Sequence, residues 1–137
     1  MKKSNKQEPN IMCIAYLSVE GDLYSTKEKE NKQLRYLRQY AKANHVDICL
    51  VARRNGMGQA MVNKHWKTMV ELIEKGKADG ILIANTELVS SSIADSFLKV
   101  GQVHEAGGIV VTVDEGRLTL PVKRMIDGRM VLVNERY

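Results

Sequence analysis

Aromatic side chains are scarce in this 137-residue chain, where Phe, Trp and Tyr together make up 5 %. Its core must be aliphatic, and a 44 % hydrophobic content is enough to build one. Cysteine is nearly absent. Cys13 and Cys49 each lie inside an apolar run, and neither has a Cys or His at metal-ligand spacing. Both are expected to be buried and reduced, and no metal is expected. Long hydrophobic runs are missing as well: none approaches the roughly 18 residues of a membrane span. The run after the basic N-terminus stops at Glu20 without a small-residue cleavage pattern. No membrane contact and a cytoplasmic location are therefore expected. The loop "NGMG" at 55–58 is not GxGxxG and has no P-loop lysine, so no nucleotide cofactor is expected. The chain has no internal repeat and no linker that would mark a second domain.

What is present is a mild excess of positive charge. Twenty-one basic residues are mixed with 16 acidic ones, for a net +5. That balance favours acidic partners, nucleic acid included, but an ordinary solvated basic surface accounts for it equally. The cations gather in three places: Lys27, Lys29, Lys32, Arg35 and Arg38; then Arg53 and Arg54; then Lys123, Arg124 and Arg129. Residues 1–10 are polar and charged and are expected to fray.

Apolar runs and helical periodicities alternate along the chain. Ile11 to Val19 reads as a buried strand. A helix follows from about Lys27 to Ala43, with Ser25 or Thr26 as its cap and Leu34, Leu37 and Ala41 on its inner face. A second strand is expected at Ile48 to Ala52. A second helix is expected at about Asn63 to Lys75, with Trp66, Met69, Val70 and Ile73 inward. Ile81 to Ala84 is the third strand. The third helix runs from about Ser92 to Ala106, with Ile93, Phe97 and Val100 inward, and Ile109 to Val113 is the fourth strand. Strands apolar on both faces, alternating with helices, predict a largely parallel sheet covered on both sides, an α/β three-layer domain. In "VKRMIDGRMVLV", Asp127-Gly128 between two strand-like runs predicts a C-terminal hairpin that extends the sheet. The expected organisation is a flexible 1–10, a domain at 11–116 and a hairpin extension at 117–137.

In such a sheet ligands bind beyond the carboxyl ends of the strands. Those ends carry Glu20-Gly21-Asp22, Arg53-Arg54-Asn55-Gly56, Asn85-Thr86-Glu87 and Asp114-Glu115. "YLSVE" at 16–20, "NKQLRYLRQYAKAN" at 31–44 and "GKADGILIANTELVSSSIADSF" at 76–97 carry a family frame. Over about residues 11–116 the chain resembles the catalytic domain of serine recombinases, the resolvase/invertase family. The resemblance implies a resolvase-like fold and a relation to site-specific DNA recombination. In that family a Tyr-x-Arg-x-Ser strand supplies a phosphate-binding Arg and the Ser that joins covalently to DNA. Here Tyr16 is kept, Ser18 stands in the arginine's place and Glu20 in the serine's. Gln33, Leu37, Tyr40 and Ala41 match the next helix. Arg54 replaces an Asp, Asn63 replaces an Arg, and Glu87, Leu88 and Ser91 replace an Asp and two arginines.

Ser18 faces the same way as residue 20, but two strand residues span about 6.6 Å, and a nucleophile must lie within about 3.5 Å of its target. A carboxylate at position 20, about 4 Å from a phosphate, would be repelled by on the order of 4 kcal/mol. The expected outcome is a catalytically inactive domain that binds or regulates. It would act as a dimer, as a partner of a recombinase, or through non-specific DNA contact by Arg53, Arg54, Lys64 and Lys67. The alternatives are a residual strand-transfer enzyme and a remnant of a mobile element. Glu20, Asp22 and Glu87 are expected to be solvated strand-end carboxylates rather than metal ligands. His45, His65 and His104 are expected at the surface, Ser90 to Ser92 as a helix cap, and Met57 and Met61 as fillers.

Overall fold

The computed structural model describes residues 10–19, 23–90, 92–114, 116–118, 122–126 and 129–133. Seven strands and three α-helices follow one another: β1 (Ile11–Leu17), α1 (Leu23–Ala43), β2 (Val46–Arg53), α2 (Gln59–Glu74), β3 (Gly80–Ile83), α3 (Ile93–Glu105), β4 (Ile109–Thr112), β5 (Gly116–Leu118), β6 (Val122–Ile126) and β7 (Arg129–Val133). The main sheet has the order β2-β1-β3-β4-β5, with β1 to β4 parallel and β5 antiparallel on the outer edge. It is the expected α/β architecture.

Period-two alternation along the central strands divides the core. Cys13, Ala15 and Leu17 of β1 and Leu82 of β3 pack under Leu34, Leu37 and Ala41 of α1. Ile14 and Tyr16 of β1 and Ile81 and Ile83 of β3 face the other way, against Val62, Trp66, Met69 and Ile73 of α2 and Val100 and Val103 of α3. The sheet is thus a middle layer with one helix above and two below. Parallel β3 and β4 approach so closely at Gly80 that a Cβ there would collide with the Ile109 carbonyl oxygen.

Several sequence expectations need correction. Helix α1 starts before Ser25 and Thr26, so neither caps it, and Thr26 is buried inside the helix. Its inward stripe is Thr26, Glu30, Leu34, Leu37 and Ala41. The polar Thr and Glu hide the first two turns from a search for apolar periodicity. Helix α2 begins at Gln59, behind an extended Gly58 whose lack of a capping side chain gives no start signal. In α3, Ile93 and Phe97 point outward, 80 % and 51 % exposed, and Lys99, Val100 and Val103 point inward. Cys13 is buried, but Cys49 is exposed. Ile48 pairs with Cys13 and Leu50 with Ile14, so Cys49 is the extra residue of a β-bulge on the edge strand. The strand β5 was not expected, and it carries the main sheet to Leu118. β6 and β7 pair with each other in a separate two-stranded sheet instead of extending the main one, and the expected turn at Asp127-Gly128 lies outside the described residues.

Candidate functional site

β1 is followed by a helix on one face of the sheet, and β3 by a helix on the other. The chain therefore changes direction between β1 and β3, and in an open α/β sheet a crevice forms beyond the strand ends at that point. Here it is stitched shut. Ser18, just past the end of β1, is 1 % exposed, and its hydroxyl donates to the carbonyl of Leu88, just past the end of β3. The Arg54 guanidinium donates to the same Ser18 Oγ at 3.2 Å and, through Nε, to the Met57 carbonyl. Gln33 of α1 holds the Ser18 backbone from above. Its Oε1 accepts from the Ser18 N–H at 3.0 Å, and its Nε2 donates to the Ser18 carbonyl at 2.9 Å. The backbone N–H, the carbonyl and the hydroxyl of Ser18 are thereby all engaged.

The 53–57 loop is pinned by a residue that sequence periodicity did not single out. Glu30, on the inner stripe of α1, is 1 % exposed. Its Oε2 accepts from the Asn55 N–H at 2.8 Å, and its Oε1 lies 3.7 Å from Arg53 Nη1. The clamp holds Asn55 and Gly56 at φ of 57° and 75°, the left-handed geometry that Asn and Gly tolerate. A buried carboxylate that meets Arg53 and the Asn55 N–H is legible in sequence only once a Glu on the inner helical face and the 53–57 loop are known to meet.

Tyr16 sits below the crevice, its hydroxyl 2.8 Å from His65 Nδ1 and the two rings edge to face at 5.6 Å. Burial pushes the Tyr16 hydroxyl above its ordinary value, with Glu30 raising it further against Arg54, which lowers it. The phenol therefore stays protonated, hydrogen-bonded to the His65 ring. His65 is thus half-buried and partnered, contrary to the surface position expected. His104 is also half-buried, with Nε2 3.1 Å from the Leu118 carbonyl, whereas His45 is exposed. Gln59, at the start of α2, ties that helix to the loop after β3 by donating to the Val89 carbonyl at 2.7 Å.

The other sequence candidates fall as follows. Glu20, Asp22 and Ser91 lie outside the described residues. Glu87 is exposed on a short 3-10 helix, Thr86–Leu88, and Leu88 packs half-buried against the α1-side core. Asn63 is exposed and accepts a hydrogen bond from Gln59. Lys64 and Lys67 are exposed on α2, and Arg53 retains a third of its side-chain surface. Arg54, expected as a DNA contact, is only 6 % exposed, with its guanidinium turned into the protein. Ser92 caps α3 by accepting from the Asp95 N–H, and Ser90 braces that turn. Among the described residues no group of three or more His, Cys, Asp or Glu is placed to hold a metal, and no helix is long and apolar enough to cross a membrane.

No family model and no curated protein matches the sequence. Solved structures do match. The chain is similar to the N-terminal catalytic domain of TP901-1 integrase, with a TM-score of 0.64 at 18 % identity over 77 % of this chain and 78 % of that one. It is similar to a resolvase family site-specific recombinase from Streptococcus pneumoniae, with a TM-score of 0.65 at 18 % identity over 78 % and 74 %. The C-terminal catalytic domain of ISC1926 TnpA, an IS607-like serine recombinase, gives 0.64 at 20 % identity over 75 % and 70 %. This chain has the fold of a serine recombinase catalytic domain.

Proposed function

We propose that this recombinase-fold domain does not cut DNA and works by binding, as a partner in DNA recombination. The supporting observation is the Ser18 lock. The residue in the place of the family's phosphate-binding arginine is a buried serine that donates to the Leu88 carbonyl. The nearby cation, Arg54, is turned inward onto Ser18 and Met57. Phosphoryl transfer needs cations aimed at the charge that develops on the phosphate, and neither group is aimed outward. A carboxylate at position 20, which the resemblance aligns with the family's nucleophile, would repel a phosphate about 4 Å away by about 4 kcal/mol, roughly a thousandfold in rate. The partners considered are DNA, a second copy of the chain and a recombinase subunit.

The test is a strand-cleavage assay on supercoiled plasmid, with a denaturing gel to reveal protein joined to DNA. No nicking and no adduct are expected at any protein concentration. An adduct that disappears in Ser18→Ala would overturn the proposal.

A further inference from the structure

Away from the crevice, on the opposite side of the sheet from α2 and α3, lies a charged surface that the crevice does not use. Helix α1 exposes Lys27, Lys29, Lys32, Arg35, Arg38 and Lys42, and the exposed part of the helix bears a single acid, Glu28. The buried acid, Glu30, faces the core. At 3.6 residues per turn, Lys27, Lys32, Arg35, Arg38 and Lys42 fall within about 140° of arc and span about 22 Å along the axis. Among the described residues none of these five pairs with a carboxylate. Lys32–Arg35, Arg35–Arg38 and Arg38–Lys42 are like-charge neighbours at i,i+3 and i,i+4, which repel and weaken the helix. The first turn contains no acid to offset them. Folding therefore does not account for this concentration of cations. A ligand that neutralises them does.

We infer that the outer face of α1 is a docking surface for the phosphate backbone of duplex DNA, bound without regard to sequence. This rests on the binding role proposed above and gives it a site away from the strand ends. The chemistry selects the occupant. A duplex presents one phosphate about every 1.7 Å of its axis, so a rigid row of cations meets phosphates wherever it lands. The face lacks the apolar stripe of a membrane-surface helix, having only Tyr24 and Tyr36 among its exposed large hydrophobics. The groove between α2 and α3 suits a polyanion less well, because Glu71, Glu74 and Asp95 line it beside Lys67 and Lys99.

The experiment compares the full chain, Arg35→Glu/Arg38→Glu, and a control of equal charge change just after α2, Lys75→Glu/Lys77→Glu. A labelled duplex of random sequence is titrated across salt concentrations, and circular dichroism checks helicity. The α1 pair is expected to weaken binding at least about tenfold at low salt and to lower the log–log salt slope by about two, while the control stays near the parent. The Gln versions of the α1 pair should fall between. Three results would overturn the inference: parent-like binding by the α1 pair, equal loss in the control, or competition by polyglutamate as strong as by duplex. If the parent itself ignores DNA, the inference also fails, but the non-cutting proposal stands, since that one is decided by the covalent adduct.

Discussion

Replacing Glu30 with Gln is the sharpest probe of how the 53–57 loop is held. The variant preserves volume and can still accept from the Asn55 N–H, so it isolates the charge. The bond from Asn55 at 2.8 Å is charge-assisted and should be worth about 1.5–3 kcal/mol, against about 1 for its neutral counterpart. The Arg53 contact at 3.7 Å has a gross Coulomb value of about 4.5 kcal/mol at an effective dielectric of 20. Arg53 keeps 33 % of its side-chain surface, however, so solvent and side-chain entropy reduce that contribution to about 1 kcal/mol or less. The total loss comes to about 0.5–3 kcal/mol. In urea, where a domain of this size unfolds with a slope of about 2 kcal/mol per molar, the midpoint should drop by about 0.3–1.5 M at unchanged slope. Arg53→Gln should cost less than about 1 kcal/mol. A Glu30→Gln loss below about 0.5 kcal/mol would refute the clamp and leave the left-handed Asn55 to be explained by the loop alone.

Three further predictions follow from single contacts. Gly80→Ala should destabilise by about 3 kcal/mol or more, because its Cβ meets the Ile109 backbone, whereas Gly58→Ala, with nothing within 4 Å, should be close to neutral by urea melting. Burial, with help from Cys49 and Asp79, pushes the Cys13 thiol up to about 12 from 9.0, so the folded state keeps a proton that the unfolded chain releases. The associated stability is complete below pH 9 and should be lost on the way to pH 12, by up to about 1.4 kcal/mol per pH unit. Cys13→Ala should flatten that fall, and a thiol reagent should reach Cys49 alone in the native protein and both cysteines in urea. Finally, Ser18→Arg would bury a second guanidinium beside Arg54, and Arg54→Asp would remove the donor to Ser18. Combined, they should cost about 1–3 kcal/mol less than the sum of the singles, and additivity within about 0.5 kcal/mol would show the two positions to be uncoupled.

The layers of the fold were legible because they depend on patterns that the sequence displays directly. Runs such as Ile81 to Ile83, apolar on both faces, can only be central strands, and Trp66, Met69 and Ile73 repeat at helical spacing. The errors at α1, His65 and Arg54 share one cause. Where a polar residue is buried by pairing with a distant one, local periodicity reads it as surface. Thr26 and Glu30 concealed the start of α1, and His65 looked exposed until Tyr16, 49 residues away, supplied its partner. Arg54 is the most consequential case. In sequence it follows Arg53 in a glycine loop and reads as a phosphate contact. Its direction is set by the Met57 carbonyl around the turn and by a group that no window contains, Ser18 Oγ, 36 residues away. The resemblance had marked positions 18 and 54 separately, as a missing arginine and a missing aspartate. In the folded chain the Arg54 guanidinium reaches Ser18 Oγ, just past the end of β1. It is anchored to backbone and hydroxyl rather than held outward, so restoring a serine at position 20 alone should leave the domain unable to bind a scissile phosphate there.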